Sequence, residues 1–373
     1  MKKVLTLIVI SLLGVLGTAS FLLFSRYQQN PEQIVPYPYE FDRPAPGIAL
    51  DAPILITGDR MGVYFGKFKE ELAATISANL AKPIKVQSMA KEGFGLHRTI
   101  HQLRSLVQWP QILIYQGGSE EFLEKKFHLS EVSLIKTNFS RYNDERIETF
   151  MILYPGLSRL VYEPINRLKL AEEPAESAEI SEEEYFKRLE TELLLYEQQL
   201  LELIALSKDR NSLLILSTTP INLDILPKKV CEFTRSLEID REILELKELL
   251  KRQDPKAAYG RSSRLVKQHL GNASLYYIHG QIARRLGFLD EAVSSFLEAS
   301  SFDCEPWRVT EIHNSIIRRV AREQQVILFD FAKLLEKEYT KNTTFYDELY
   351  PQNLYYELGM QQLGLVIKSI LKL

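Results

Sequence analysis

The chain has 373 residues, which is enough for two or three domains of ordinary size or for one large α/β unit with insertions. Hydrophobic residues make up 45% of it and charged residues 25%, so the chain is globular with a sizeable core, and collagen-like and wholly disordered classes are excluded. The chain has 46 Lys and Arg residues and 49 Asp and Glu residues, so it has no excess of positive charge. We therefore expect no nucleic acid to be bound.

The N-terminus carries a predicted membrane anchor, assigned to residues 1–25. Lys2 and Lys3 precede an uncharged apolar run, residues 4–24, which as a helix is long enough to cross a hydrocarbon core of about 30 Å. Because lysines stay in the cytoplasm, we expect a single-pass inner-membrane protein with the bulk of the chain in the periplasm or outside the cell. A cleaved signal peptide is the alternative, since small residues at 17–20 offer a cleavage site.

Residues 26–51 are rich in proline, with tyrosine and polar residues between the prolines. This composition favours extended conformers over helix. Two interpretations stay open for the segment: a stalk that separates the folded part from the membrane, or an irregular tail that wraps the folded part.

Five short apolar runs alternate with helical stretches in the rest of the chain. We expect parallel strands at residues 54–57, 84–89, 112–115, 213–216 and 326–330, a single helix at 64–79 after the first strand, and a final helix at 358–371. The alternation predicts an α/β fold with a doubly wound, parallel, five-stranded sheet flanked by helices, formed by residues 52–237 and 304–373. Ligands of such sheets bind beyond the carboxyl ends of the strands.

The loops at those ends resemble four sequence blocks of the SGNH/GDSL hydrolases. The matching residues, in block order, are Gly58-Asp59-Arg60, Gly95, Gly117-Gly118-Ser119-Glu120, and Asp347 to Pro351 followed by Gly359. The resemblance covers about residues 52–220 and 305–373. It implies a flavodoxin-like sheet and a serine nucleophile in the first block. It also implies an oxyanion-hole glycine in the second block and an Asp-His pair, orienter and base, in the last.

Three family positions carry other residues here. Arg60 replaces the nucleophilic serine, Ser119 replaces the asparagine of the third block, and Tyr350 replaces the histidine base, while Asp347 is kept. Arginine has no attacking atom and is permanently charged, and tyrosine titrates near 10, too high for a base at neutral pH. We therefore expect a pseudoenzyme in which no residue is assigned a catalytic role. We expect neither a cofactor nor a metal ion.

The changed pocket has two interpretations. Arg60 and Asp347 could form a salt bridge that plugs the former catalytic centre, or Arg60 could bind an anionic or polyhydroxylic group. The candidate ligand-binding residues are Arg60, Gly95, Ser119, Glu120, Asp347 and Tyr350. Ser119 beside Glu120 is the candidate for rescued catalysis. His97 and His101, four apart on a helix, could hold a metal, but a surface pair is the favoured interpretation.

Two insertions interrupt the predicted hydrolase-like domain. The first, residues 122–180, contains an apolar piece at 150–157 and an acidic piece at 172–184; it caps the pocket, touches the membrane or adds a helix to the core. The second, residues 238–303, is predicted to be all helix. Its packing residues resemble a tetratricopeptide repeat: Tyr276, Gly280, Gly287, Ala292, Phe296 and Ala299, with a weaker copy around Leu246 and Ala258.

The second insertion has two interpretations, a peptide-binding surface or a purely structural helical hairpin. Cys231 and Cys304 flank it, and the sequence leaves open whether they are bridged or free. The expected function is binding or scaffolding in the cell envelope, with a glycan or protein ligand. The alternative is an active esterase or acetyl hydrolase acting on an envelope carbohydrate or lipid ester.

Overall fold

The computed structural model describes the chain at residues 14–22, 39–40, 47–78, 80–121, 126–142, 145–154, 157, 168–169, 181–305, 307–339 and 343–371. The chain divides into two compact units. The first comprises residues 1–43, 125–175 and 201–211, and the second comprises residues 44–124, 176–200 and 212–373.

The second unit is built on a parallel sheet of five strands. The strands are β1 (Ile54–Gly58), β2 (Val86–Ser88), β3 (Ile112–Gln116), β4 (Leu213–Ser217) and β5 (Ile327–Phe329). Their order across the sheet is β2-β1-β3-β4-β5, and every neighbouring pair is parallel. Each residue of β1 and β3 is buried, as expected of central strands covered on both faces. The predicted α/β fold with a five-stranded parallel sheet is confirmed.

Helices follow the strands in the second unit, and one of them continues into the first unit over residues 201–209. They are α1 (Arg60–Gly66), α2 (Lys69–Ser77), α3 (Leu96–Arg104), α4 (Glu182–Asp209), α5 (Leu237–Lys251), α6 (Pro255–Gln268), α7 (Ala273–Leu286), α8 (Leu289–Ser301), α9 (Glu311–Glu323), α10 (Phe331–Tyr339) and α11 (Asn353–Leu371). A single helix was predicted to begin at Tyr64 after β1. That prediction is wrong, because Asp59 caps a helix that starts at Arg60 and a break at Phe68 separates α1 from α2.

The main core joins the sheet to four helices. Apolar side chains of β1 and β3 pack with those of α1, α2, α10 and α11 into one buried cluster. Its fully buried members include Ile56, Ile114, Phe65, Leu72 and Met360. The predicted C-terminal helix is therefore part of the core, although it begins at Asn353, earlier in the chain than expected.

The second insertion is all helix, as predicted, and consists of α5 to α8. Six of the eight positions predicted to pack are buried: Gly280 lies against the ring of Phe296, and Leu246, Ala258, Ala292 and Ala299 are shielded from solvent. Tyr276 is partly exposed, and Gly287 is exposed where α7 ends. At its base the two chain segments are joined by a disulfide between Cys231 and Cys304, with a Cα–Cα distance of 5.3 Å. The cysteines that the sequence left undecided are therefore bridged.

The first unit is described in separate pieces. Residues 14–22 are helical and exposed, Tyr39–Glu40 pair in parallel with Leu168–Lys169, and two helices run from Val132 to Tyr142 and from Glu145 to Leu153. The rest of the predicted anchor, most of residues 26–51 and all of residues 172–180 lie outside the described residues. None of the helices that the structure describes is long and apolar enough to cross a membrane.

Candidate functional site

The loops after the first three strands of the sheet converge because β1 lies between β2 and β3. The amide of Lys91 donates to the carbonyl of Gly58 at 3.0 Å, which ties the second loop to the first. Gly58 has a φ of +139°, and a Cβ on it would lie 1.8 Å from the carbonyl oxygen of Gln116. Only glycine fits this position, so the family-like glycine is required by backbone geometry where β1 meets β3.

Asp59 joins the first and third loops. One of its carboxyl oxygens accepts from the amide of Met61 at 2.9 Å and caps α1, and the other accepts from the amides of Ser119 at 2.6 Å and Glu120 at 3.1 Å. The side chain is 1% exposed. Burial raises the pKa of Asp59 to about 6, although the bonds from Met61 and Ser119 oppose that shift. The buried carboxyl group of Asp59 therefore holds the first and third loops together through hydrogen bonds.

Arg60 pairs with Glu120. Its Nε lies 3.3 Å from Glu120 Oε1, and both side chains are mostly buried, at 22% and 10% exposure. The predicted salt bridge between Arg60 and Asp347 is wrong. Asp347 Oδ1 instead accepts from the amides of Leu349 at 2.8 Å and Tyr350 at 2.7 Å, so the carboxylate closes its own turn. Glu120 is the partner because Asp59 holds its backbone beside the start of α1.

Tyr350, at the position of the family's histidine, lies in a stack of tyrosines. Its ring centroid is 4.5 Å from that of Tyr64 and 6.1 Å from that of Tyr346, and both pairs are nearly parallel. Burial raises the pKa of Tyr350 above its usual value, although the nearby charge of Arg60 opposes the shift. The phenol is therefore protonated at neutral pH and cannot act as a general base.

Gly95 lies at the head of α3 as its N-terminal cap residue. The next amide, that of Leu96, donates to Glu121 Oε1 at 2.7 Å, and Glu121 is 1% exposed. The buried side chain of Glu121 thus accepts the hydrogen bond of the first backbone amide of α3. Sequence reasoning missed Glu121, since nothing in the motif marks it apart from its neighbour Glu120.

Ser119 is held by its backbone. Its amide is bound to Asp59, its hydroxyl is buried, and none of its hydrogen bonds in the described part of the chain involves an imidazole. Rescue of catalysis by Ser119 therefore finds no histidine base, and the ionisable group beside its side chain is the carboxyl of Asp59. Beneath the same loop, a Cβ on Gly117 would come within 2.5 Å of the Tyr115 hydroxyl, and one on Gly118 within 3.3 Å of the Tyr196 hydroxyl.

His313, from α9, is a second residue that sequence reasoning missed. Its Cβ lies 3.6 Å from the point where a Cβ of Gly118 would be, and its ring meets Tyr196 edge-on with centroids 5.6 Å apart. Its Nδ1 lies 3.2 Å from the hydroxyl of Thr310. No sequence signal marks it, because the chain segments it joins are far apart in sequence and meet only through the sheet.

The two histidines of α3 differ in burial. His97 is 3% exposed, so the expectation that both lie at the surface is wrong for it, whereas His101 is partly exposed. Among the residues described, the one group of three metal-type ligands within reach of each other is Glu182, Cys231 and Cys304, and its two sulfurs are bonded to one another. Neither histidine belongs to it.

Comparisons of the chain with protein-family models, with curated proteins and with solved structures find no match. The class of the protein is therefore defined by its own fold and site. It is an α/β protein with a five-stranded parallel sheet, a helical insertion closed by a disulfide, and a polar site at the carboxyl ends of the strands.

Proposed function

We propose that the chain is an SGNH/GDSL hydrolase-like pseudoenzyme of the cell envelope, which binds a glycan or protein ligand and does not hydrolyse it. The observation that carries the proposal is the Arg60–Glu120 ion pair. Arg60 stands directly after Asp59, where the family has its nucleophilic serine, and it is paired with Glu120. A guanidinium cannot attack an acyl carbon, and its partner carboxylate holds it in place.

The remaining parts of a hydrolytic site support the same conclusion. Tyr350 stands at the base position with a raised pKa, and Ser119 has a buried hydroxyl and a backbone bound to Asp59. The amide of Leu96, beside the family-like Gly95, is bonded to the Glu121 carboxylate. The carboxyl group of Glu121 therefore lies at the amide next to that of Gly95, the predicted oxyanion-hole donor, where a developing oxyanion needs hydrogen-bond donors and positive charge.

We further propose the molecular setting in which this site works. An uncleaved N-terminal anchor places the folded part outside the cytoplasm, in keeping with the lysines that precede residues 4–24. The four-helix insertion, with its tetratricopeptide-like packing at Gly280 and Phe296, offers a surface for a protein partner. A disulfide at the base of the insertion suits an oxidising compartment.

Hydrolysis of a small acetyl ester tests the proposal. The full chain in detergent is assayed beside Ser119→Ala and Asp347→Ala variants, and we expect all three rates to equal the rate of the ester in buffer. Neither variant removes a member of an assembled catalytic pair, since Ser119 has no imidazole partner and Asp347 caps a turn. A clear wild-type rate that disappears in either variant would overturn the pseudoenzyme and favour the esterase.

A further inference from the structure

An exposed tyrosine surface adjoins the Arg60–Glu120 pair. Tyr350 is electrostatically coupled to Arg60 and stacks on both Tyr64 and Tyr346. Tyr346 lies beside both other rings, with its centroid 6.4 Å from that of Tyr64 and its hydroxyl 3.4 Å from the Tyr64 hydroxyl, and it is 55% exposed. Rings that are fixed by their neighbours and open to solvent on one side lose little conformational entropy when a ligand packs on them.

The charges beside the stack select the kind of ligand. Glu120 compensates the charge of Arg60, and the exposed carboxyl groups of Asp347 and Glu92 act on the neighbouring Tyr350. An anionic ligand would have to compete with Glu120 for the guanidinium and would meet two further acidic side chains. A neutral ligand whose groups both donate and accept can instead bond to Arg60 and Glu120 together.

The guanidinium of Arg60 has unused hydrogen-bonding capacity. Its Nε and Nη2 are shielded from solvent, and neither makes a hydrogen bond to the residues that the structure describes, because the 3.3 Å contact with Glu120 has poor geometry. A shielded donor without an acceptor costs free energy. The Arg60 side chain is 22% exposed, so a small rotation of the guanidinium would bring these donors to the hydroxyl oxygen of a ligand beside Glu120.

We infer that this site takes a neutral sugar chain. The apolar C–H face of one sugar ring packs on the exposed face of Tyr346, and hydroxyl groups of the neighbouring ring bond to the Arg60 guanidinium and the Glu120 carboxylate. The inference rests on the proposed binding function of the same site, and it decides between the anionic and the polyhydroxylic ligand in favour of the latter.

Calorimetric titration of the full chain in detergent tests the inference. The probes are neutral tetrasaccharides of the cello, chito and malto series and, as the charged comparison, tetragalacturonate. We expect at least one neutral probe to bind, at least tenfold more tightly than the uronate. The Tyr346→Ala variant should lose at least tenfold in affinity for that probe, while Tyr346→Phe retains it because the ring is kept.

Tyr154→Ala is the matched control, because Tyr154 is exposed at 38% and belongs to the other unit. Its affinity should equal that of the wild type. Binding of the uronate in preference to every neutral probe, an unchanged affinity in Tyr346→Ala, or the absence of binding by all four probes would overturn the inference. Each of these results leaves the pseudoenzyme standing, since that proposal fails only if ester hydrolysis depends on Ser119 or Asp347.

Discussion

A single buried carboxylate decides how the two central loops of the site are held. Asp59 accepts three backbone hydrogen bonds, from Met61, Ser119 and Glu120, yet burial raises its pKa from 3.8 to about 6. The cost of desolvating the charge therefore exceeds what the amides return. The same side chain caps α1. The start of α1 and the contact between the first and third loops therefore both depend on Asp59.

The raised pKa of Asp59 predicts a pH-dependent stability. Between about pH 4 and pH 6 the folded chain binds more protons at Asp59 than the unfolded chain does, so this residue lowers the free energy of unfolding as the pH rises through that window. Two pKa units correspond to about 3 kcal/mol. In Asp59→Asn this part of the slope should vanish in denaturant unfolding measured at pH 4, 5, 6 and 7.

A helix cap that does not titrate supplies the control for that measurement. Ser236→Ala removes the hydroxyl that accepts from the amide of Ile239 at the start of α5, so it should destabilise the protein and keep the wild-type slope. A slope in Asp59→Asn that matches the wild type over the same pH range would show that Asp59 is not the group with the raised pKa.

Helix packing in the insertion depends on one glycine in α7. A Cβ on Gly280 would lie 2.8 to 3.1 Å from three ring atoms of Phe296 in α8, and Phe296 is 2% exposed. The absence of a side chain lets the two helices approach, which is the role that the repeat-like spacing predicted for this position. Glycine is otherwise a poor helix former, so its use here indicates a packing requirement.

Two glycine substitutions with opposite outcomes follow from this packing. Gly280→Ala should lower the free energy of unfolding by about 1–3 kcal/mol, because the ring of Phe296 has to move in a packed core. Gly260→Ala should raise it by up to about 1 kcal/mol, because Gly260 is an exposed position in α6 with no atom within 4 Å of its Cβ. Chemical denaturation of both variants checks the pair, and a Gly280→Ala chain as stable as Gly260→Ala would contradict the close approach.

The two ends of the helical insertion meet at one place, and α7 and α8 also pack on Ile221, Leu223 and Val309 of the α/β part. The disulfide between Cys231 and Cys304 joins residues 73 apart in sequence, and Val230 and Asp303 form an isolated antiparallel bridge beside it. The carboxylate of Asp303 accepts from the amides of Lys228 at 2.8 Å and Lys229 at 3.0 Å. The insertion thus leaves and re-enters the α/β unit at one point, so its helices form a closed loop.

Loss of the disulfide should destabilise the protein by about 2–4 kcal/mol, because a long loop is no longer closed in the unfolded chain. The Cys231→Ser/Cys304→Ser variant is compared with the wild type by denaturant unfolding, with and without a reducing agent. The reducing agent should shift the wild type to the midpoint of the variant and leave the variant unchanged. Equal midpoints for oxidised wild type and variant would contradict a stabilising bridge.

The elements of the sheet could be predicted from the amino-acid sequence because their signals are local. Apolar runs such as Ile54–Thr57 and Ile112–Tyr115 are continuous, which is typical of strands buried on both faces. The edge strands β2 and β5 are shorter than predicted, since each pairs on one side only. The break between α1 and α2 at Phe68 was missed, although Gly66, the last residue of α1, marks it.

The candidate site was only half predictable, for a physical reason. Motif order at strand ends was enough to place Asp59, Arg60, Ser119 and Glu120 on converging loops, because parallel strands end at the same edge of a sheet. The choice of Glu120 over Asp347 as the partner of Arg60 depends on where each carboxylate finds its nearest donors. That choice is made through space, among residues from distant parts of the chain.

By itself, therefore, the amino-acid sequence determined the strands and the helical insertion, since each depends on residue type and spacing. Only the tertiary structure decided the Arg60–Glu120 pair, the Glu121 cap on α3, the tyrosine stack around Tyr350 and the bridge between the two cysteines. Ion pairing, ring stacking and disulfide formation need distances of a few ångströms between residues far apart in sequence, and folding alone sets those distances.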